Sequence, residues 1–255
     1  MIASKNTLAE LKRISFVLAS ECSALSFGPK VQAVYNPLVY AVRPYNLYLE
    51  LAGFSPKRVI FLGMNPGPWG MAQTGVPFGE VTAVRDWLGV EAAVGKPEKE
   101  HPKRPVEGFA CARSEVSGRR LWGLFRERFR TPAEFFREHF VANYCPLVFM
   151  EPSGANVTPD KLPADESAPL FKICDRALAE TIELLEPEWV IGIGGFAEKR
   201  IRMVREQIKH EFTAAKILHP SPASPRANAG WQDEVIKSLV ELGVWEKDRE
   251  KIIEQ

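Results

Sequence analysis

Short apolar runs alternate with longer amphipathic stretches along this 255-residue chain. Four of the short runs have the length and the β-branched or aliphatic content of buried strands, and they cover residues 59–62, 139–146, 188–193 and 214–219. Around them, apolar residues recur every three to four positions, which predicts helices. The predicted helices cover residues 5–25, 44–51, 81–88, 117–129, 168–185, 196–210 and 231–242, and a further short helix begins at Thr131.

The order of these elements predicts the fold class. Strands that alternate with helices favour a parallel sheet with helices on both faces. We therefore expect an α/β fold, a three-layer sandwich with a central four-stranded parallel sheet flanked by helices. Neither an internal repeat nor a low-complexity linker divides the sequence, so residues 1–255 are expected to form a single domain.

Polar residues and loops rich in glycine or proline follow three of the four predicted strands. The loop 63–79 carries Asn65 and Phe78. Asn143 lies at the tip of the second strand and His219 at the end of the fourth. Because the carboxyl ends of parallel strands meet at one edge of a sheet, we expect these side chains to lie together. By itself, the first loop is equally compatible with a turn that serves only the strand-to-helix connection.

The expected pocket offers two amides, an imidazole, an aromatic ring and free backbone N–H groups, and no carboxylate or cysteine accompanies them. This set lacks the nucleophile and base that acyl transfer requires. It suits the recognition of a planar ring, because an asparagine amide pairs with an adjacent carbonyl and N–H while a phenylalanine stacks on the ring. Several ligand classes stay open on these residues alone, since each side chain also has a common structural use.

Composition and charge narrow the classes of protein. A chain that is 45% hydrophobic and 25% charged is typical of a folded globule. Its apolar runs are too short to span a bilayer and its first residues lack the apolar core of a signal peptide, so we expect an intracellular protein without a membrane partner. A net charge of +1 does not indicate a nucleic-acid binder. The four cysteines form no C-x-x-C pair, so neither a metal nor another cofactor is expected.

One long loop fits no regular element. Residues 95–108 are charged and rich in proline. Loops of this length without secondary structure are more often functional than idle. The alternative is a solvated excursion of the chain with no role in binding. A polar loop at 151–163 and a Pro/Ser-rich loop at 220–230 likewise lack a helical or alternating pattern.

Two segments carry distinctive motifs: Gly63–Gly79, which reads GMNPGPWGMAQTGVPFG, and His219–Asn228, which reads HPSPASPRAN. Both resemble the signature motifs of the uracil-DNA glycosylases, in particular the single-strand-selective monofunctional group. The likeness spans roughly residues 25–243 in the order found in that family, which makes chance an unlikely cause. Further matching stretches are HPKRPV at 101–106, SEVSG at 114–118, NYCPL at 143–147 and PSGANVTP at 152–159.

The resemblance implies a role for each pocket residue in removing uracil from DNA. Asn65 corresponds to the residue that positions the attacking water, and His219 to the donor that binds uracil O2 and stabilises the departing anion. The same resemblance assigns the remaining substrate contacts to Phe78, which stacks on the extruded base, Asn143, which reads its Watson–Crick edge, and the backbone of Met64 and Gly67, which faces O2 and C5.

The resemblance also implies two DNA-contacting loops and a single-chain enzyme. It predicts a monomer that acts on single- and double-stranded DNA, in the cytoplasm of a bacterium or the nucleus of a eukaryote. No lysine in the motifs is available for a Schiff base, so the expected product is an abasic site. The implied DNA contacts are Ser153, Gly154, Asn156 and Thr158 in one loop and Ser221, Pro222, Ala223, Ser224, Pro225 and Arg226 in the wedge that enters the duplex.

Two positions depart from the family pattern, and three other interpretations stay open. Trp69 stands where phenylalanine is common, and Ala223 stands where family members can carry arginine, with Arg226 three residues on. An iron–sulfur glycosylase is disfavoured by the cysteine spacing. A Rossmann-type nucleotide-binding enzyme is disfavoured because the first loop lacks G-x-G-x-x-G. A DNA-binding protein without catalysis would need neither Asn65 nor His219.

Overall fold

The computed structural model describes residues 2–52 and 56–247, so residues 1, 53–55 and 248–255 of the expected domain lie outside the description. The strands in these ranges are β1 (Ala33–Tyr35), β2 (Val59–Gly63), β3 (His139–Asn143), β4 (Val148–Met150), β5 (Asn156–Val157), β6 (Trp189–Ile193) and β7 (Thr213–Ile217). The α-helices are α1 (Ile2–Ser23), α2 (Pro37–Tyr40), α3 (Val42–Ala52), α4 (Met71–Thr74), α5 (Val116–Arg128), α6 (Pro132–Glu138), α7 (Ala164–Leu185), α8 (Gly195–Arg205) and α9 (Pro225–Glu241). Short π- or 3-10-helical turns cover Ala83–Leu88, Gly108–Ala110 and Pro159–Lys161.

Four strands form a parallel sheet in the order β3-β2-β6-β7. The register pairs Gly63 with Asn143 and Ile193 with Ile217, so these strands end level with one another at one edge. The predicted α/β class with a four-stranded parallel sheet is confirmed. The second strand ends at Asn143 rather than at residue 146, because the chain bends at Tyr144.

Both faces of the sheet are buried at its central strand β2, which explains why that strand is apolar throughout. Every residue of β2 is buried. Ile60 and Leu62 line one cavity with Leu178 of α7. Phe61 points to the other face, since successive side chains alternate along a strand, and its ring centroid lies 5.2 Å from that of Phe125 in α5. Helices therefore cover both faces, and the expected three layers are present.

A second, antiparallel sheet with the strand order β1-β4-β5 is not predicted by the sequence pattern. Its strands contain two or three residues each, which is too short for an alternating pattern to stand out. β4 and β5 form a hairpin closed by the Glu151 N–H, which donates to the Ala155 carbonyl at 3.0 Å. The predicted polar loop at 151–163 is therefore a hairpin tip followed by a short strand.

Helix α9 begins at Pro225, so the predicted loop at 220–230 is wrong over its second half. The Ser224 hydroxyl caps the helix by accepting the Ala227 N–H at 3.3 Å, and proline suits the first helical position. Gly230 then interrupts the helix with extended backbone at φ 161°. A single turn before such a break is too short to show the periodicity on which the prediction rested.

The other predicted helices are confirmed with shifted ends, as is usual at helix termini. Helix α1 begins at Ile2 rather than at residue 5, and α8 ends at Arg205 rather than at residue 210. Helix α7 begins at Ala164 rather than at residue 168, because its first turn is polar and carries no apolar signal. The segment predicted as a short helix at 81–88 is a π-helical turn over Ala83–Leu88.

The described residues were also compared with the expectations for membrane spans, cysteines and metal sites. No helix in them is long and apolar enough to cross a membrane. The four cysteines, all within these ranges, are buried free thiols. No group of three or more histidine, cysteine, aspartate or glutamate side chains among the described residues is arranged to hold a metal ion.

Candidate active site

A pocket of about 340 Å³ lies at the carboxyl edge of the parallel sheet. It brings together every residue predicted to take part in catalysis or substrate binding: Met64, Asn65, Gly67, Phe78, Asn143 and His219. Three of the predicted DNA contacts, Asn156, Thr158 and Ser221, line it as well, so both predicted DNA-contacting loops reach its wall. The rest of the lining consists of Pro66, Glu115 and Ser117.

The other predicted DNA contacts lie on the two loops outside the pocket lining. Ser153 and Gly154 lie in the hairpin tip between β4 and β5, with Ser153 exposed and Gly154 buried. In the second loop Ser224 is half-buried and caps α9. Its exposed members are Pro222, Ala223, Pro225 and Arg226.

The side chain of Asn65 is oriented by the chain itself. Its amide nitrogen donates to the Leu147 carbonyl at 3.0 Å. With the donor end committed to the backbone, the Oδ1 oxygen is the acceptor left for a ligand or a water. An amide does not ionise, so Asn65 orients a bound water without acting as a strong base.

Phe78 is held in a strained conformation at the centre of the pocket. Its φ is +53°, a region that costs a bulky residue about 1–3 kcal/mol. Neighbouring bonds fix it there: the Glu80 N–H donates to the Phe78 carbonyl at 2.8 Å, and the indole of Trp122 donates to the Pro77 carbonyl at 3.1 Å. The ring centroid lies 6.3 Å from that of His219. The loop therefore presents a fixed aromatic face to the pocket.

Gly63 allows Asn143 and Phe78 to lie side by side. A Cβ at Gly63 would come within 2.5 Å of both the Asn143 Oδ1 atom and the Phe78 Cε2 atom, so no larger residue fits. The Asn143 amide nitrogen faces the Met71 sulfur at 3.3 Å, a weak acceptor. Its Oδ1 oxygen is buried and has no partner in the described part of the chain. A ligand that donates an N–H would remove this penalty of about 1–3 kcal/mol.

His219 is a neutral imidazole whose ring nitrogens have no hydrogen-bond partner among the described residues. Burial lowers the pKa of His219 below its ordinary value of 6.5. Gly194 lies behind it at φ +95°, and a Cβ there would come within 3.4 Å of the His219 Cβ. A neutral imidazole offers one donor and one acceptor, so His219 can donate to a ligand oxygen without carrying a charge.

Glu115 corrects the expectation that no carboxylate lies in the pocket. It immediately precedes α5, and its carboxyl lies against Gly67 and Gly70 of the first loop. Burial raises the pKa of Glu115 to about 7; a Gly118 N–H opposes this rise and the charge of Glu80 adds to it. The sequence did contain a signal, because the matching stretch at 114–118 precedes a predicted helix and carries this acid.

Buried polar side chains fix the loops that surround the pocket. Gln73 is fully buried and donates to the carbonyls of Pro68 and Pro105 at 2.9 and 3.0 Å. Its oxygen accepts the N–H groups of Glu107 and Gly108 at 2.7 and 3.1 Å. The end of the loop 95–108 is thereby anchored to the first loop, whereas most residues from 95 to 100 are exposed.

The His219 loop is anchored in the same way. Arg120 of α5 donates to the Pro220 carbonyl at 3.1 Å and to the Asn228 Oδ1 at 2.9 Å. Arg226, in the first turn of α9, forms an ion pair with Glu234 of the same helix. The pocket wall made by this loop is thus held by α5, the helix that Glu115 immediately precedes.

Comparisons with known proteins agree with this geometry. Residues 53–240 match the family described as the Uracil DNA glycosylase superfamily. The single-strand selective monofunctional uracil-DNA glycosylase of Rattus norvegicus is 50% identical over 227 residues, which cover 89% of this chain and 82% of that protein. The proteins of the same name from Mus musculus and Bos taurus are 50% and 49% identical over the same share of this chain and cover 81% and 84% of those proteins.

A solved structure agrees in fold. The structure of Pedobacter heparinus SMUG2 superposes with a TM-score of 0.65, covering 91% of this chain and 97% of that one, at 16% identity. This identity is low enough that the match supports the fold alone. Taken with the identity to the mammalian proteins and with a pocket lined by both signature motifs, it leads to one conclusion: the chain belongs to the single-strand-selective monofunctional uracil-DNA glycosylases of the uracil-DNA glycosylase superfamily.

Proposed function

We propose that this protein extrudes uracil, and 5-substituted uracils such as 5-hydroxymethyluracil, from DNA and hydrolyses the N-glycosidic bond. The observation that carries the proposal is a single pocket that combines the free Asn65 oxygen, the neutral His219 and the unpartnered Asn143 oxygen beside the Phe78 ring. The product is an abasic site, the first intermediate of base excision repair.

Base recognition follows from hydrogen bonding and stacking. The Asn143 amide pairs with the adjacent N–H and carbonyl of the uracil edge, which supplies the donor that its buried oxygen lacks. Phe78 stacks on the ring, and its fixed conformation means that little further ordering is needed on binding. The backbone of Met64 and Gly67 forms the wall beside O2 and C5. These contacts offset the few kcal/mol that extrusion of the base costs.

Asn65 cannot ionise, so it cannot activate the water as a strong base. Bond cleavage therefore depends on departure of the leaving group. The sugar develops oxocarbenium character as the bond to the base breaks. His219 donates to uracil O2, where negative charge accumulates, and its neutral state suits a donor that is present throughout the reaction. Asn65 holds the water that attacks the sugar. Among the described residues that line the pocket none is a lysine, so no Schiff base forms and the strand stays intact.

DNA is held by the two loops that reach the pocket wall. The hairpin loop contributes Ser153, Gly154, Asn156 and Thr158. The loop after His219 contributes Ser221 to Arg226 and forms the wedge that fills the space left by the extruded base. Ala223 at its tip gives a small wedge, and Arg226 is engaged by Glu234, so we propose that penetration of a duplex is shallow and that single strands are also bound.

Residues 1–255 are proposed to act as one domain and as a monomer. One core cluster includes residues from Leu11 to Trp245, which supports a single domain. The site of action is where the genome lies, in the cytoplasm of a bacterium or the nucleus of a eukaryote. The oligomeric state is tested by sedimentation of the purified protein with and without a uracil-containing oligonucleotide, and the mass of one chain is expected for the protein in both cases.

The proposal is tested by base release from single- and double-stranded oligonucleotides that each carry one lesion. The wild-type protein is expected to release uracil and 5-hydroxymethyluracil and to leave strands that break only on alkali treatment. Asn65→Ala is expected to lower the single-turnover rate by about 10²–10³-fold. Tight binding without release from any lesion would identify a DNA-binding protein without catalysis and contradict the proposal.

A further inference from the structure

Trp69, one of the two residues that depart from the family pattern, lies two positions beyond the pocket residue Gly67. Two arginine side chains lie over its indole ring. The guanidinium carbon of Arg113 lies 4.6 Å from the indole centroid, and that of Arg104 lies 5.1 Å from it. We call Trp69, Arg104 and Arg113 the rim platform. Arg113 is exposed, while Trp69 and Arg104 are half-buried.

The backbone under the rim platform is fixed by buried side chains. The Tyr35 hydroxyl, in a side chain that is fully buried, accepts the His101 N–H at 2.7 Å and donates to the Arg104 carbonyl at 2.7 Å. Gln73 holds the carbonyls of Pro68 and Pro105, which flank Trp69 and Arg104 in sequence. The platform is therefore preorganised and does not depend on a flexible loop.

Two buried nitrogens beside the platform have no partner in the described ranges. They are the Arg104 Nε and the Nε2 of His101, a side chain that is 1% exposed. Both side chains lie against Gly154 of the hairpin tip, where a Cβ would come within 3.3 Å of His101 and 3.4 Å of Arg104. Lys103 donates to the Ser153 carbonyl at 3.4 Å. The rim platform thus adjoins the hairpin loop that also lines the pocket.

The cations of this region are not neutralised by the protein. Within the described part of the chain, Lys103, Arg104 and Arg113 form no ion pair with a carboxylate, unlike Arg226, which pairs with Glu234. A planar guanidinium can bind a phosphate through two donors while it stacks on an aromatic ring. Aromatic rings beside unpaired cations are the combination that single-stranded nucleic acids occupy, because bases stack and phosphates pair.

We infer that the rim platform binds the single strand next to the extruded nucleotide, with Arg113 and Arg104 on a phosphodiester and the Trp69 ring orienting their guanidinium groups. The inference rests on the proposed function, since it takes the strand that enters the pocket as the ligand. The platform holds the strand and takes no part in bond cleavage.

The test is equilibrium binding of a fluorescent, uracil-free, single-stranded oligonucleotide over a range of salt concentrations. Arg113→Gln is expected to weaken binding about fivefold and to reduce the slope of log K against log salt by about 0.7, the value for one phosphate contact on a single strand. Trp69→Ala is expected to weaken binding about tenfold because the ring that orients both guanidinium groups is lost, and Trp69→Phe is expected to restore most of it, since a cation–π contact needs only an aromatic ring.

A matched control is Arg128→Gln. Arg128 lies 4.5 Å from the Trp245 ring centroid, the same kind of pair, but at the amino edge of the sheet. This variant is expected to bind with wild-type affinity and salt slope. With a uracil-containing strand, Arg113→Gln is expected to raise the protein concentration at which the single-turnover rate is half its maximum.

An unchanged salt slope in Arg113→Gln would overturn the inference, and an accompanying fall in melting temperature would mark a purely structural pair. The binding assay uses a strand without uracil, so it does not depend on catalysis. A wild-type protein that binds through the platform but releases no base would contradict the proposed function and support the platform.

Discussion

The two ends of strand β3 place polar side chains in opposite situations. At the amino end, His139 is buried and both ring nitrogens have partners: the Phe135 carbonyl at 3.2 Å and the indole N–H of Trp245 at 3.2 Å. At the carboxyl end, Asn143 leaves its oxygen buried without a partner among the described residues. Polar groups that the chain satisfies by itself hold the fold together, whereas those it leaves unsatisfied indicate where a ligand binds.

The same contrast separates the two histidines. Burial lowers the pKa of both below 6.5, to about 3 for His139. His139 is neutral inside an aromatic cluster and has no nitrogen to spare. His219 is neutral and lies at the pocket. Neither of its ring nitrogens forms a hydrogen bond with another residue in the described ranges. Neutrality serves packing in one case and hydrogen bonding to a ligand in the other.

The largest expected effects come from replacing these two histidines: one replacement should lower activity and the other should lower stability. His219→Ala is expected to lower uracil release by about 10³-fold with a smaller change in the free energy of unfolding, because the ring contacts Phe78 at the pocket and makes no hydrogen bond to another described residue. His139→Ala is expected to lower the free energy of unfolding by about 3–5 kcal/mol, because it opens a cavity and leaves the Trp245 N–H without a partner. Single-turnover kinetics and urea unfolding measure the two. Similar stability losses in both variants would remove the contrast.

Stability is expected to fall with acidity because of His139. In the unfolded chain this ring takes up a proton as the pH falls below about 6.5, whereas the folded ring stays neutral until about pH 3. The free energy of unfolding is therefore expected to fall by about 1.4 kcal/mol per pH unit in the lower part of that window. His219, whose folded pKa is also lowered, acts in the same direction.

The control for this pH dependence is His139→Gln, which does not titrate. Urea unfolding of this variant between about pH 6 and pH 4.5 is expected to show a slope smaller by about one proton. An unchanged slope would mean that other groups carry the dependence.

A methyl group at the carboxyl end of β2 is expected to disturb the pocket more than the fold. Gly63→Ala would push on the Asn143 oxygen and the Phe78 ring. Base release is expected to fall about 10–100-fold, since small displacements of recognition groups are costly. Gly123→Ala is the control, because a Cβ there meets nothing within 4 Å. Wild-type kinetics in Gly63→Ala would show that the packing of the pocket is not needed.

The smallest expected effect concerns Glu115. Its pKa of about 7 means that the carboxyl gains a negative charge as the pH rises through neutrality. A charge in the pocket opposes the departing uracil anion, so the rate is expected to fall about tenfold between about pH 6 and pH 8. Glu115→Gln stays neutral, and its single-turnover rate is expected to be flat over this window. If the rate of Glu115→Gln still falls over this pH window, another titrating group causes the fall.

The sequence by itself determined the central sheet and the convergence of Asn65, Asn143 and His219. The four strands are apolar runs bounded by loops, so their pattern is local, and parallel strands in one sheet necessarily end at one edge. Chain order therefore predicts which side chains meet there. The signature motifs then indicated what those side chains recognise.

Tertiary structure alone decided the features that depend on distant contacts. The Glu115 carboxyl reaches the pocket only because Gly67 and Gly70 leave room for it, and Trp69 meets Arg104 only because Tyr35 and Gln73 fix the loops. The strands β1, β4 and β5 are too short to carry a pattern of their own. Such contacts join residues that are far apart in sequence, so no local periodicity predicts them. Only the folded chain shows which polar groups have hydrogen-bond partners.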